Sequence, residues 1–194
     1  MGLTDLFVLG LRKFGFSVSI TLGSGYSVEN DIETRKQNLK RVCDTTVAIP
    51  ALKSIKNPDG VTWKTFCNVG TQMICESMDV KFFNHEMANQ MYDLMATSPK
   101  WRKDSGLRAH LHANNGMIAV AAQKHDEHGH VTVIYPAPKM EESGSWGEEV
   151  PFCANIGAHP KKREDEGKNM NSVCRVSQAF LTEPDYFLFV GDEA

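Results

Sequence analysis

The chain has 194 residues, with 21 Lys and Arg against 24 Asp and Glu for a formal charge of -3, and 41% hydrophobic residues. That length fits one compact domain with room for a small appendage, and the composition excludes a disordered chain. The near-neutral balance excludes the broad basic footprint of a nucleic-acid binder, and five cysteines without a CxxC pair exclude a complete disulfide framework and a zinc ribbon.

Residues 6–11 are apolar, but Asp5 precedes them and Arg12 and Lys13 follow, the reverse of the charge order of an export signal. The run is also too short to span a bilayer, and the sixth residue is not the Ser or Thr of a myristoylation signal. Neither an export signal nor a membrane anchor is therefore expected. A Gly/Ser-rich patch at Gly23, Ser24 and Gly25 follows, and then a polar helix capped by Ser27 or Asn30 and running through Arg35, Leu39 and Val42. Residues 1–56 thus form a mostly helical extension with no chemical motif, and residues 57–194 the remaining domain.

The breaker cluster Asn57, Pro58, Asp59, Gly60 marks that boundary. Beyond it Phe66, Val69, Gly70, Met73, Ile74 and Ser77 share the spacing of one helix face, small and apolar enough to pack closely. A second helix after Asn84 carries Met87, Ala88, Met91, Leu94 and Met95 on one side and stops before Ser98 and Pro99. The second half reads as strands at residues 117–122, 130–135, 150–156 and 186–190, the second rich in β-branched residues and closed by Pro136. Helices followed by strands predict an α+β fold with an antiparallel sheet against the early helices.

Cys67 stands at the start of the first of these helices, where unpaired N–H groups and the helix dipole favour the thiolate. A thiolate beside an imidazole is the nucleophile of acyl transfer from amides and esters. The competing reading is a small buried hydrophobe, the usual state of a free cysteine; Cys75, without that placement, is core or surface filler. His130 opens a strand after the turn at Glu127, His128 and Gly129 and can supply the imidazole. Asn155 is the polar residue that breaks an apolar strand; it either orients the ring or satisfies local backbone.

Thr65-Phe66-Cys67-Asn68 opening a helix, Ala88-Asn89 with the later Trp101, and Gly129-His130-Val131-Thr132 as a strand together resemble the NlpC/P60 and CHAP-type cysteine hydrolases, particularly phage-type cell-wall lysins. The resemblance covers roughly residues 57–160 and implies a papain-like core that cleaves amide or peptide bonds of peptidoglycan. It assigns Cys67 as nucleophile, His130 as general base and acid, and Asn155 as the third residue, a position that varies in this group. Asn68, Trp63 and Trp146 are the candidates for substrate contact. This chemistry needs no cofactor and no metal, and it implies peptidoglycan or its stem peptides as partner, a monomer, no nucleic acid and no membrane span. Synthesis in the cytoplasm would then be followed by release or delivery to the bacterial wall.

Three other readings share these residues. A papain-like toxin, deamidating or transglutaminase-like, would use the same Cys-His pair on a protein. A binding protein could keep the fold without the activity. A zinc hydrolase would draw on His110, His112, His125, His128 and His130, with His110 and His112 on one side of a strand; the chain has no HExxH to support it. The mixed-sign run at residues 161–168 reads as a solvated loop, and residues 136–149 as a specificity loop.

Overall fold

In the computed structural model, residues 28–56, 58, 63–126, 128–157 and 171–191 are described. The apolar run at residues 6–11, the patch at Gly23 to Gly25, the turn residues Asp59 and Gly60, and the charged run at residues 161–168 lie outside the described residues.

Helix α1 (Val28–Val47) turns Leu39, Val42 and Cys43 into the core. A short 3-10 turn follows at Pro50–Leu52, then the two-residue strands β1 (Ile55–Lys56) and β2 (Trp63–Lys64), paired antiparallel. Helix α2 (Cys67–Ser77) buries Cys67, Gly70, Thr71, Ile74 and Cys75, a stripe at helical spacing. Val69 and Met73 lie outside that stripe and are 39% and 36% exposed, so the packed face is rotated from the one that apolarity alone selects. Helix α3 (Ala88–Thr97) buries Ala88, Met91 and Met95 as the spacing predicts. Gln90 closes its first turn by accepting from the Met87 N–H at 2.8 Å.

Among the described residues, six strands form one antiparallel sheet in the order β3-β10-β4-β5-β8-β9: β3 (Trp101–Asp104), β4 (Ala119–Gln123), β5 (His130–Ile134), β8 (Phe152–Asn155), β9 (Ser172–Arg175) and β10 (Asp185–Phe189). The fold is therefore α+β with a central antiparallel sheet, as the order of elements predicts. Three pieces interrupt the simple helices-then-strands order. Helix α4 (Gly106–Asn114) lies between β3 and β4, the small ribbon β6 (Glu141–Glu142) and β7 (Glu149–Val150) precedes β8, and the short α5 (Val176–Ala179) follows β9. Residues 136–149 are thus partly a ribbon rather than a plain loop.

The core is continuous between the helices and the sheet, and α1 contributes to it alongside α2. Trp101 belongs to that core, 5% exposed and packed edge-on against Phe82 and Phe189. Gly70 sets the spacing between α2 and the sheet: a Cβ there would lie 2.0 Å from Ile156 Cδ1. Only a residue without a side chain allows the helix to approach the end of β8 so closely. Among the described residues, no helix is long and apolar enough to cross a membrane.

Candidate functional site

Close packing of α2 on β5 brings the first turn of that helix against the strand that begins with His130. Cys67 is the first residue of α2, with Phe66 at the cap, and the first helical hydrogen bond runs from the Gly70 N–H to the Phe66 carbonyl at 2.9 Å. The N–H groups of Cys67, Asn68 and Val69 therefore have no acceptor within the helix, and that of Asn68 is directed at the sulfur.

His130 and Asn155 come from neighbouring strands whose register sets Val133 against Ala154. Continued outward, that register places Asn155 opposite Thr132 and His130 one diagonal step away, within reach of a side-chain hydrogen bond. The bond is made: His130 Nε2 lies 2.8 Å from Asn155 Oδ1. The amide oxygen can only accept, so Nε2 carries the proton and Nδ1 is left for Cys67, to which the ring is hydrogen-bonded. Asn155 is fully buried, and its side chain goes to the imidazole, which overturns the alternative of an Asn satisfying only local backbone.

Burial pushes the Cys67 thiol up, yet its net position is below the ordinary thiol value. The His130 hydrogen bond and positive charge, with the backbone N–H groups of Val131 and Asn68, outweigh the loss of water. For His130 the signs invert. Burial pushes it down, and the Cys67 hydrogen bond and charge, joined by Asn155, carry it above the usual imidazole value. Both shifts favour a thiolate facing an imidazolium.

Three residues outside the sequence candidates support His130, directly or through a neighbour. The ring of Phe180, 1% exposed, lies 4.9 Å from the imidazole centroid and shields the bond to Asn155 from water. Gly157 runs beside the ring, where a Cβ would sit 3.3 Å from His130 Cε1. Asn171 accepts from the Gly157 N–H at 3.1 Å and donates to the Leu52 carbonyl at 3.0 Å, tying the chain after Asn155 to the turn before β1. A glycine two residues beyond Asn155 was a legible signal; Phe180 and Asn171 have none.

The other candidates are dispersed. The side chain of Asn68 donates to the Glu86 carbonyl at 2.9 Å and anchors the loop before α3. Trp146 donates through Nε1 to the Leu181 carbonyl at 3.3 Å, next in sequence to Phe180. Trp63 lies in β2, and its side chain falls outside the described residues. His110 and His112 are on helix α4, not on a strand, so they do not share a face. His112 Nε2 bonds the Phe189 carbonyl at 3.0 Å and pins α4 to β10, while burial holds His110 below its usual value. His125 sits in the β4–β5 hairpin with Nε2 3.1 Å from Gln123 Oε1. Among the described residues no three His, Cys, Asp or Glu side chains converge as a metal site. Compared with known proteins, the chain matches no family model and no curated protein.

Proposed function

We propose that the protein is a cysteine hydrolase that cleaves amide bonds of bacterial peptidoglycan, on a papain-like core of the NlpC/P60 and CHAP kind. The observation that carries the chemistry is the hydrogen-bonded series Cys67, His130, Asn155, with the sulfur at a helix N-terminus. The wall substrate is supported by the motifs at residues 65–68 and 129–132, which resemble those of cell-wall lysins.

In the reaction the Cys67 thiolate attacks the scissile carbonyl carbon, and the Cys67 backbone N–H stabilises the oxyanion. The His130 imidazolium gives its Nδ1 proton to the leaving amine as the C–N bond breaks, leaving a thioester and a neutral ring. The ring then takes a proton from water, whose oxygen attacks the thioester; the carboxylic acid leaves and the thiolate–imidazolium pair is restored. Asn155 holds the ring in one tautomer throughout. The enzyme acts as a monomer at the bacterial wall after release or delivery, with the stem peptides of peptidoglycan as its substrate.

The test is digestion of purified peptidoglycan by the wild type and by Cys67→Ala, with mass analysis of the released fragments. Wild type should liberate new amine and carboxyl ends, and Cys67→Ala none. Intact peptidoglycan with both proteins, together with deamidation or cross-linking of a protein substrate by the wild type only, would replace the wall assignment with the protein-directed reading.

A further inference from the structure

A pair of cysteines lies beside the site, one on the strand that carries Asn155 and one on its neighbour. Cys153 on β8 and Cys174 on β9 are directly opposite in the antiparallel register, with Asn155 opposite Ser172 as the next pair on the same face. The Val176 N–H donates to the Pro151 carbonyl at 2.9 Å, which fixes the alternation and makes Cys153 and Cys174 a hydrogen-bonded pair. Such pairs have Cα atoms about 5.5 Å apart, inside the range that a disulfide spans, and Cβ atoms about 5.5 Å apart that must close by about 1 Å for the bond to form. The two thiols are already hydrogen-bonded to one another, and both are free. Cys174 is 7% exposed where Cys153 is sealed, and β9 is an edge strand of the sheet. Cys43 and Cys75 sit deeper, on two helices and without a strand register to align them.

We infer that Cys153 and Cys174 form a redox modification site, closed by hydrogen peroxide to a cross-strand disulfide that clamps edge strand β9 to the strand carrying Asn155. Cys174, the more accessible sulfur and the acceptor of the Cys153 S–H, attacks one peroxide oxygen. The O–O bond breaks, Cys174 becomes a sulfenic acid, and hydroxide leaves and takes up a proton as water. Cys153 sulfur then attacks the sulfenic sulfur; the S–S bond forms, the S–O bond breaks, and the Cys153 proton departs with the second water. Two thiols lose two electrons and two protons, and the peroxide becomes two waters. The inference does not depend on hydrolysis by Cys67.

The experiment uses the full chain carrying Cys67→Ala, which removes the reactive thiol and leaves four of the five cysteines. Treatment with hydrogen peroxide should consume two thiols, and non-reducing peptide mapping should join Cys153 to Cys174. The midpoint of thermal unfolding should rise by roughly 5–10 °C, because the bond closes the segment between β8 and β9 in the unfolded chain. Dithiothreitol should reverse both changes, and Cys174→Ser in the same background should show neither. The wild type with Cys67 first alkylated repeats the measurement if Cys67→Ala folds poorly. Four surviving thiols, a disulfide mapped to Cys43 or Cys75, or a crosslink that lowers the midpoint would each overturn the proposal.

Discussion

Cys67 and Cys75 lie on the same face of α2, two turns apart, and burial takes water from both thiols. Cys75, near the C-terminal end, has Glu76 as its neighbouring charge, and it is driven far above the ordinary thiol value by burial and then by that charge. Cys67, at the other end, faces first-turn N–H groups and an imidazole, and the same burial penalty is more than offset. Burial alone makes a cysteine inert; the end of the helix and the strand it meets decide whether it becomes a nucleophile.

The largest expected effect breaks this contrast at the sulfur. Cys67→Ala should lower hydrolysis by at least about 10⁴-fold with little change in thermal unfolding, while Cys75→Ala should keep full activity and lose about 1 kcal/mol of stability. His130→Ala should lower activity by a similar factor, and the double variant should be no worse than either alone, since the two act as a unit. Alkylation by iodoacetamide separates the environments directly. Cys67 should react much faster than Cys75, and in His130→Ala the difference should shrink. Equal, slow labelling of both thiols in the wild type would argue against the ion pair.

A smaller effect comes from the third member. Asn155→Ala leaves a buried ring N–H without its acceptor, at a cost of about 1–3 kcal/mol in stability. Activity should fall by roughly 10- to 100-fold, and the pH profile should change shape. In the wild type, the thiolate–imidazolium form fills the window above the lowered Cys67 value and below the raised His130 value. The acid limb of kcat/KM should therefore lie below the ordinary thiol value of about 8.5 and the alkaline limb above the ordinary imidazole value of about 6.5. Asn155 helps to raise His130, so its removal should move the alkaline limb to lower pH. The stability contributed by the raised His130 is fully present below its unfolded value and is lost as pH rises through the folded one. That of the lowered Cys67 is present above its unfolded value and lost as pH falls through the folded one.

The sheet was legible where the chemistry of the strand is simple. Val131 to Ile134 are apolar or β-branched between a glycine turn and a proline, and they form β5 as expected. Asn155 stood out as a polar residue in an apolar run, and its burial against His130 explains why it is there. Strand β3 was not legible, because Arg102 and Lys103 face solvent on a four-residue edge strand, where charge serves to block further pairing. Helix α4 did have a signal, Ser105 capping Arg108 and Asn115-Gly116 closing the end, but two histidines at alternate positions suggested a strand face instead. What hydropathy cannot encode is the meeting of α2 with β5; that depends on Gly70 fitting under Ile156, a contact between residues 86 positions apart.

Gly70→Ala tests that contact. The added methyl needs the space held by the tip of Ile156, which is itself buried, so the helix or the side chain must move. Overpacking of this kind costs about 1–3 kcal/mol. Because Ile156 adjoins Asn155 and Gly70 is one turn from Cys67, the displacement is transmitted to the hydrogen-bonded series, and kcat should fall more than KM rises. Urea unfolding and steady-state kinetics on the same preparation separate the two effects. A variant of wild-type activity would mean that the position of α2 on the sheet does not set the Cys67–His130 geometry.

The smallest effect belongs to the other stripe of the same helix. Val69 and Met73 are more apolar than Thr71 and Cys75, so a pattern read by hydropathy turns the helix one residue too far. In the fold Thr71 and Cys75 are sealed, and Val69 and Met73 meet solvent. Val69→Thr and Met73→Gln should therefore shift unfolding by no more than about 0.5 kcal/mol, whereas Thr71→Gln must force a larger polar group into a site 2% exposed and should cost several times as much. Urea midpoints for the three variants order the two faces independently of any activity. A large loss from Met73→Gln with a small one from Thr71→Gln would mean that the helix is turned the other way, and Cys67 would then face away from His130.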